Sequence, residues 1–318
     1  KNREEWLELR SELNGLGGSE VGSVLGLNPY SSAYEVWARR KGLIPPKQDN
    51  EAMRQGRDLE DYVAQRFTEA SGLEVHKVNA ILTNDDFPRL FATIDRKVSN
   101  RDAGLECKTA SALNAKAYRG GEFPASYYVQ CCTYLAVTGL KTWYLAVVVL
   151  GKEFKVYALT RDEDYQKEDF VSSVCYVAEE ELTALNNAVT SWYETYIIGD
   201  GTPDVDGSSA TTNAIKEAFP VSNGETIDLM PYEASLRVYK ELQNQSKEIE
   251  TQMETIAQEI KAYMGESETA ICDIAKVSWK SSSRKTLDAK AVKEEFGDIP
   301  DECYKVSTSR IFKITFNK

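Results

Sequence analysis

The chain has 318 residues, with 38 lysines and arginines against 50 aspartates and glutamates, so its formal net charge is −12. This length predicts about two domains of roughly 150 residues each. The single histidine, His76, excludes a multi-histidine zinc site and leaves one candidate for a catalytic triad. Six cysteines without a CxxC pair argue against a disulfide scaffold and favour a reducing cytoplasm. Any chemistry is therefore expected to use carboxylates, lysine and a hard cation bound by oxygen.

Bulk composition says little about partners. DNA affinity comes mostly from lysine and arginine, but charges more than about 8–10 Å apart are largely screened at physiological salt. A local basic groove can therefore coexist with an acidic exterior. The longest apolar run, 144–150, is too short to cross a bilayer, and the first residues show no signal peptide, so no membrane partner is expected.

The first part of the chain predicts helices and strands in alternation. Short helices are expected at 22–26 and 33–41, and a stronger helix at 56–71 ends before Gly72. Further on, the pattern predicts strands and helices at 73–82 (strand), 89–98 (strand), 104–109 (strand), 125–137 (helix), 142–150 (strand) and 153–159 (strand), then a long helix ending near 198. The short connections favour an α/β core with a mixed sheet flanked by helices over a doubly wound parallel sheet.

A linker rich in Gly, Asp and Ser at 199–209 predicts two domains, 1–200 and 210–318. In the second domain a long helix at 233–264 carries a heptad seam of apolar residues, interrupted by Ser246. One helix cannot bury such a seam, so it must pack on its own core, a neighbouring subunit or another protein. Folding back onto its own core is the favoured expectation. The tail predicts three further elements at 270–279 (strand), 288–296 (helix) and 303–314 (strand).

The most informative stretches are Thr93-Ile94-Asp95-Arg96 and Leu105-Glu106-Cys107-Lys108-Thr109. Asp95 is expected to end one strand, while Glu106 and Lys108 share one face of the next and Cys107 points away. Two carboxylates about 4 Å apart repel by about 4 kcal/mol at an effective dielectric of 20, and a bound Mg²⁺ would turn that repulsion into attraction. The Cys107 carbonyl could add an oxygen ligand, and Lys108 could orient or help to deprotonate the attacking water.

As a bare pattern this is weak, because charged residues make up 28% of the chain and a solvated sheet face would produce the same spacing. Two features strengthen it: the acids sit in apolar strands, and Glu60 and Gln130 lie on the helices before and after the strands. Each residue also has a simpler interpretation. Glu60 could be a solvent-facing helix acid, Gln130 a satisfied core amide, and His76 is expected to be structural.

Motifs follow one another in order between residues 6 and 200. They are Trp6-Leu7-Glu8-Leu9-Arg10 with Gly15-Leu16-Gly17-Gly18-Ser19-Glu20 and Leu25-Gly26, then Gly56-Arg57-Asp58-Leu59-Glu60, Thr93-Ile94-Asp95, Leu105-Glu106-Cys107-Lys108-Thr109 and Tyr128-Val129-Gln130. This series resembles the YqaJ-type viral recombinase nucleases, which belong with phage lambda exonuclease to the PD-(D/E)xK superfamily. The region after the linker resembles the C-terminal α+β extension of larger members. One departure is that the family's Gly-Ser-Asp reads Gly-Ser-Glu at 18–20.

The resemblance implies a metal-dependent exonuclease that digests one strand of linear double-stranded DNA from the 5′ end and leaves a 3′ overhang for recombination by strand annealing. It implies that Asp95 and Glu106 bind two Mg²⁺ or Mn²⁺ ions, with the Cys107 carbonyl and Glu60 assisting. Lys108 would position the nucleophilic water, and Gln130 would steady that region.

Arg10 and Ser19 match positions that contact a phosphate, although Arg10 could be only a surface charge. The resemblance further implies a phage single-strand annealing protein as partner, a ring trimer, and a phage- or prophage-encoded protein in the cytoplasm of a bacterial host.

Two alternatives stay open. One is a RecB- or Cas4-like DNA nuclease, against which the scattered cysteines argue, because Cas4-type members bind an iron–sulfur cluster through four cysteines. The other is a degenerate nuclease fold that acts as a DNA- or protein-binding module. Asp95, Glu106 and Lys108 are all present, and this favours an enzyme.

Overall fold

The computed structural model describes residue 9, residues 12–283 and 289–297, and residues 300 and 314. The chain divides into two compact units, Lys1–Pro220 and Val221–Lys318. Arg10 and nearly all of the strand predicted at 303–314 lie outside the described residues. Among the described residues, no helix combines the length and the apolar character that crossing a membrane requires.

The strands of the first unit form two sheets. In chain order they are β1 (Leu16–Gly17), β2 (Val75–Lys77), β3 (Leu82–Thr83), β4 (Leu90–Ala92), β5 (Arg96–Val98), β6 (Ala103–Ala110), β7 (Thr142–Val149), β8 (Glu153–Thr160) and β9 (Ser173–Tyr176). The main sheet has the order β2-β5-β6-β7-β8-β9, and a small sheet has the order β1-β4-β3. In the main sheet β6–β7 and β8–β9 are parallel and the other pairs are antiparallel.

Helices cover this mixed sheet, which confirms the predicted α/β class. In the first unit they are α1 (Gly18–Val24), α2 (Ala33–Arg40), α3 (Glu51–Asp58), α4 (Glu60–Ser71), α5 (Ala125–Thr138), α6 (Glu179–Tyr193) and α7 (Ser209–Ala218). Local sequence explains several ends: the Ser32 hydroxyl accepts a hydrogen bond from the Glu35 N–H and caps α2. Gly139 ends α5 in the left-handed conformation that glycine adopts most readily.

Strand β7 shows that the main sheet is buried on both faces. Trp143, Leu145 and Val147 pack in one hydrophobic cluster, together with residues of α5. The alternate residues Tyr144 and Ala146 pack in a second cluster with Val63 and Phe67 of α4. Because successive side chains of a strand point to opposite faces, this alternation places helices on both sides of the sheet.

Several predicted elements are broken in the structure. The helix predicted at 56–71 is two helices, α3 and α4, that meet at Leu59. The strand predicted at 89–98 is also two strands, because β4 pairs in the small sheet and β5 joins the main sheet after the chain leaves the ladder at Thr93. The strand predicted at 73–82 is likewise reduced to β2 and the start of β3.

The chain just after the predicted linker belongs to the first unit. Helix α7 was not predicted, and it packs against α2. The Thr211 hydroxyl donates to Ser32 Oγ over 2.8 Å, and Ala214 is buried with Tyr34 and Ala38.

A half-buried carboxylate, Glu168, ties the chain after β8 to the main sheet. Its carboxylate accepts hydrogen bonds from the hydroxyls of Tyr144 (2.7 Å) and Tyr165 (2.8 Å), and it pairs with Arg101. Burial opposes ionisation, but these three partners outweigh it and lower the pKa of Glu168.

We expect Glu168→Gln to lower the free energy of unfolding by on the order of 2 kcal/mol at neutral pH, because charged hydrogen bonds are lost. A lowered pKa in the folded chain means that this stability is present above the unfolded pKa and is lost as the pH falls through the folded value. The difference should therefore shrink below about pH 4 in urea unfolding measured across this range. Glu163→Gln, at an exposed position, is the control. An equal loss at both pH extremes would contradict this role for the charge.

The second unit contains a 310 turn at Met230–Tyr232, the long helix α8 (Glu233–Met264), a hairpin of β10 (Thr269–Ile271) and β11 (Lys276–Ser278), and α9 (Ala289–Phe296). The single strand predicted at 270–279 is thus wrong, because the chain turns back on itself between β10 and β11.

Helix α8 confirms the prediction at 233–264, but its seam is not buried. Leu236 is half-buried, and the other large apolar residues of the seam are 36–89% exposed: Tyr239, Leu242, Ile249, Met253, Ile256, Ile260 and Tyr263. The expectation that this seam packs on its own core stays a prediction.

Candidate active site

The register of two neighbouring strands brings the predicted acids together. Arg96 of β5 pairs with Leu105 of β6, so Asp95, just before β5, lies beside Glu106. The Cys107 N–H donates to Asp95 Oδ2 over 2.8 Å. Asp95 was predicted to end a strand, but it precedes one, because the extended stretch before it pairs in the other sheet.

Glu106 is a buried carboxylate with one oxygen satisfied and one without a partner. It is 3% exposed, and its Oε1 accepts from Lys108 Nζ at 2.6 Å and from Gln130 Nε2 at 2.8 Å. Its Oε2 is buried and has no hydrogen-bond partner among the described residues. Such an orphaned oxygen is costly unless something else binds it.

Asp95 shares this environment. Burial, together with the negative charges of Glu106 and Glu60, raises the pKa of Asp95 well above its ordinary value, against the opposing effect of Lys108 and the Cys107 N–H. Two carboxylates in one poorly solvated place favour a cation between them.

Lys108 is the positive charge that pairs with Glu106. It lies on the same face of β6 as Glu106, as the spacing predicts, and its ammonium lies 4.9 Å from the ring centre of Tyr127. Burial alone would lower the pKa of Lys108, but Glu106 and Asp95 outweigh burial and raise it. The ammonium form therefore prevails at neutral pH.

Helix α5 holds the amide that supports Glu106. Gln130 is buried, and its Nε2 donates both to Glu106 and to the Tyr134 hydroxyl at 2.7 Å. Gly18 of α1 allows the close approach of this helix, because a Cβ at Gly18 would lie 2.9 Å from Tyr134 Cε1 and 3.2 Å from Gln130 Cγ. The simpler interpretation of Gln130 as a satisfied amide is compatible with these contacts, but one of its partners is the candidate acid.

Glu60, the first residue of α4, is paired with an arginine. Arg96, 4% exposed, donates Nη1 to Glu60 Oε1 at 2.5 Å and to the Asp95 carbonyl at 2.7 Å, and it also pairs with Asp61. Arg96 thus joins the start of α4 to the residue that carries the first acid.

One open cavity of about 1430 Å³ collects the predicted residues. Its lining includes every predicted site residue that the structure describes: Ser19, Glu60, Asp95, Glu106, Cys107, Lys108 and Gln130. Tyr118, Phe123 and Tyr127 also line it, whereas Tyr128 donates to Glu181 and His76 is exposed on β2. Arg10 lies outside the described residues.

The donor set fits a hard divalent cation. No group of three His, Cys, Asp or Glu side chains close enough to hold a metal ion occurs in the part of the chain that the structure describes. Mg²⁺ needs no such cage, because one or two carboxylates and several waters are its usual protein site. Asp95 and Glu106, with its unpartnered Oε2, match that requirement. Burial and Asp95 raise the pKa of the Cys107 thiol well above its ordinary value, so Cys107 would offer its carbonyl.

Sequence reasoning missed three supporting residues: Arg96, Tyr127 as a partner of Lys108, and Tyr134. Tyr134 could have been found, because it lies four residues after Gln130 and such pairs share a helix face. The burial of Arg96 between two acids of α4 has no local signal in the sequence.

The fold and this site define an α/β protein with two acids and a lysine gathered on neighbouring strands, and two comparisons agree on a family. The model of the YqaJ-like viral recombinase domain matches residues 5–141. The uncharacterized protein YqaJ of Bacillus subtilis (strain 168) is 30% identical over 318 residues, with 98% of this chain and 94% of that protein covered. This chain belongs to the YqaJ-like viral recombinase family.

Two solved structures are also similar. An alkaline exonuclease from Laribacter hongkongensis, LHK-Exo, matches with 20% identity and a TM-score of 0.46, covering 61% of this chain and 94% of that one. A phage related exonuclease from Haemophilus somnus 129PT matches with 13% identity and a TM-score of 0.41, covering 58% of this chain and 95% of that one.

Proposed function

We propose that this chain is a Mg²⁺-dependent exodeoxyribonuclease that digests one strand of linear double-stranded DNA from 5′ to 3′ and leaves a 3′ overhang for strand annealing. The observation that carries the proposal is the meeting of Asp95, just before β5, with Glu106 and Lys108 of the adjacent strand β6 in an open cavity, where one buried oxygen of Glu106 has no partner among the described residues. Membership of a viral recombinase family supports a role in recombination.

In this proposal Asp95 and Glu106 hold one or two divalent ions, with the Cys107 carbonyl as a further oxygen and Glu60 near the second ion. The bound ion would activate water and neutralise charge on the phosphate. Lys108, held as an ammonium, would donate to the attacking water or to a phosphate oxygen. Gln130 and Tyr134 would fix the rotamer of Glu106. Ser19, in the cavity wall, would donate to a phosphate.

The partner and the assembly belong to the same proposal. Family membership supports a phage single-strand annealing protein that takes over the exposed 3′ strand, and a ring trimer around the duplex. Arg10 stays a predicted phosphate contact.

Lys108→Ala tests the chemistry. We expect Mg²⁺-dependent release of nucleotides from linear duplex DNA, at least about a hundredfold slower in the variant, because a positioned charge is removed from the reacting region. EDTA should stop the wild type. The matched control is Lys97→Ala, which removes an exposed lysine from the neighbouring strand β5 and should retain full activity. Equal rates for Lys108→Ala and Lys97→Ala would refute the proposed role of Lys108.

A further inference from the structure

A second cavity, of about 600 Å³, adjoins the candidate active site. It lies between the 310 segment Ala112–Gly121 and the turn that joins β7 to β8. Four basic side chains line it, with one acid: Lys116, Arg119, Lys152, Lys155 and Glu153. Leu113 and Lys116 line both cavities, so the two are adjacent.

Arg119 differs from every other arginine that the structure describes. Each of the others is in an ion pair with an acid: Arg39, Arg40, Arg54, Arg57, Arg66, Arg89, Arg96, Arg101, Arg161 and Arg237. Arg119 has no such partner within the described residues, and neither have Lys116 and Lys152. In a chain with a net charge of −12, three cations left without acids around one cavity point to an anion supplied from outside.

The backbone that carries Arg119 is held in place. The Tyr118 carbonyl accepts from Lys155 Nζ and from the Tyr157 hydroxyl, the latter over 3.4 Å. The chain then turns through Gly120 and Gly121, which have φ of 64° and 88°. The Ser173 hydroxyl donates to the Gly121 carbonyl over 2.7 Å. The guanidinium is thus presented from a fixed segment, which suits a binding site better than a mobile loop does.

We propose that this cavity binds backbone phosphates of the DNA substrate, on the strand that passes the candidate active site. This proposal rests on the proposed function, since it assigns DNA as the ligand. Arg119 would grip one phosphate with its planar fork, and Lys152 and Lys116 would neutralise others. Leu113, 90% exposed at the junction of the two cavities, would contact sugar or base between them. Phosphate contacts position the strand without reading its sequence.

The test compares two double variants of equal charge. Arg119→Gln with Lys152→Gln removes the cavity's cations, and Lys141→Gln with Arg161→Gln removes two cations from the opposite end of the same β7–β8 hairpin. Binding of a labelled blunt duplex and of a single-stranded oligonucleotide is measured in EDTA, where no cleavage interferes, as a function of salt. Loss of two phosphate contacts should reduce the salt slope by about two for duplex and weaken binding equally for all sequences. The thermal midpoint of the cavity variant should be unchanged, because Arg119 and Lys152 are exposed.

Weakened DNA binding in the cavity variant alone supports the proposal, whatever the result of the cleavage assay. If the wild type binds DNA and both double variants match it, the cavity assignment is overturned and the proposed nuclease function is untouched. If the wild type binds no DNA, both the cavity assignment and the proposed nuclease function are overturned. If only a free deoxynucleoside 5′-monophosphate binds and depends on Arg119 and Lys152, the cavity is a nucleotide site and the strand assignment is overturned.

Discussion

Asp95→Asn is expected to abolish cleavage and at the same time to make the fold more stable. Removing a carboxylate from the proposed ion site should lower kcat by at least about a thousandfold, equivalent to roughly 4 kcal/mol of transition-state stabilisation. The asparagine Oδ1 can still accept the Cys107 N–H, and the Glu106–Lys108 pair is left intact. The gain in stability should be on the order of 1 kcal/mol, as is common where a site is built for activity.

The gain in stability of Asp95→Asn over the wild type should be small in acid and larger at neutral pH. Because burial and Glu106 raise the pKa of Asp95 in the folded chain, the folded state binds this proton more tightly than the unfolded state. The associated stability is full below the unfolded pKa, about 4, and is lost as the pH rises through the raised folded value. Wild type and variant should therefore be nearly equal in acid, and the variant should be the more stable at neutral pH.

Release of nucleotides from linear duplex DNA measures the loss of cleavage. Urea unfolding across this pH range, with EDTA or with Mg²⁺, measures the gain in stability. Mg²⁺ should stabilise the wild type and leave Asp95→Asn unchanged. The difference in free energy of unfolding between the two should therefore become smaller, or change sign, when the ion is present. Asp85→Asn, in an exposed turn, is the control for removing a carboxylate and should change neither activity nor the response to Mg²⁺. If Asp95→Asn were less stable than the wild type at neutral pH in EDTA, this would contradict the argument that burial and Glu106 disfavour the charge on Asp95.

The second large effect is expected from Gly104→Ala, through packing alone. Gly104 of β6 lies opposite Trp143 of β7, which is fully buried. A Cβ at Gly104 would lie 2.7 Å from Trp143 Cε3 and closer still to two other ring atoms. The ring also packs on Tyr134, with 5.0 Å between centres, so it cannot move aside freely. We expect a loss of roughly 1–3 kcal/mol or more in the free energy of unfolding.

A double-mutant cycle with Trp143→Leu separates this clash from a general loss of strand propensity. Trp143→Leu alone should be destabilising through the space it leaves. Adding Gly104→Ala to Trp143→Leu should cost much less than Gly104→Ala does in the wild type, giving a coupling of about 1 kcal/mol or more. Additive losses would show that the contact with the ring is not the cause.

The hydrophobic pattern of the sequence was sufficient to predict the bounds of elements in which one periodicity dominates. Helix α8 matches its predicted bounds of 233–264, because its seam keeps the heptad spacing on both sides of the interruption at Ser246. The hairpin β7–β8 is equally close to prediction, with apolar runs on either side of Gly151. Helix α7 and strand β9 were missed, since Thr211 and the 173–176 stretch are held by long-range packing that leaves little local pattern.

The candidate site could be predicted only in part. The spacing of Glu106 and Lys108 fixed their common face, and the order of motifs singled out Glu60, Asp95 and Gln130. The register that places Asp95 beside Glu106 depends on a switch between two sheets inside one predicted strand, which no local pattern reports. Arg96 pairs with two acids of α4, Glu60 and Asp61, which precede it in the sequence by 36 and 35 residues. The local sequence carries no signal for such a long-range contact.

The exonuclease proposal is tested most directly by the order in which label leaves linear duplex DNA. With the wild-type chain and Mg²⁺, we expect early release of 5′ label, late release of 3′ label, an intact complementary strand, and no cleavage of a closed circular duplex. Early release of 3′ label would contradict the proposed polarity. Cleavage of the circle would contradict dependence on a DNA end. An absence of cleavage with either Mg²⁺ or Mn²⁺ would contradict the enzyme itself.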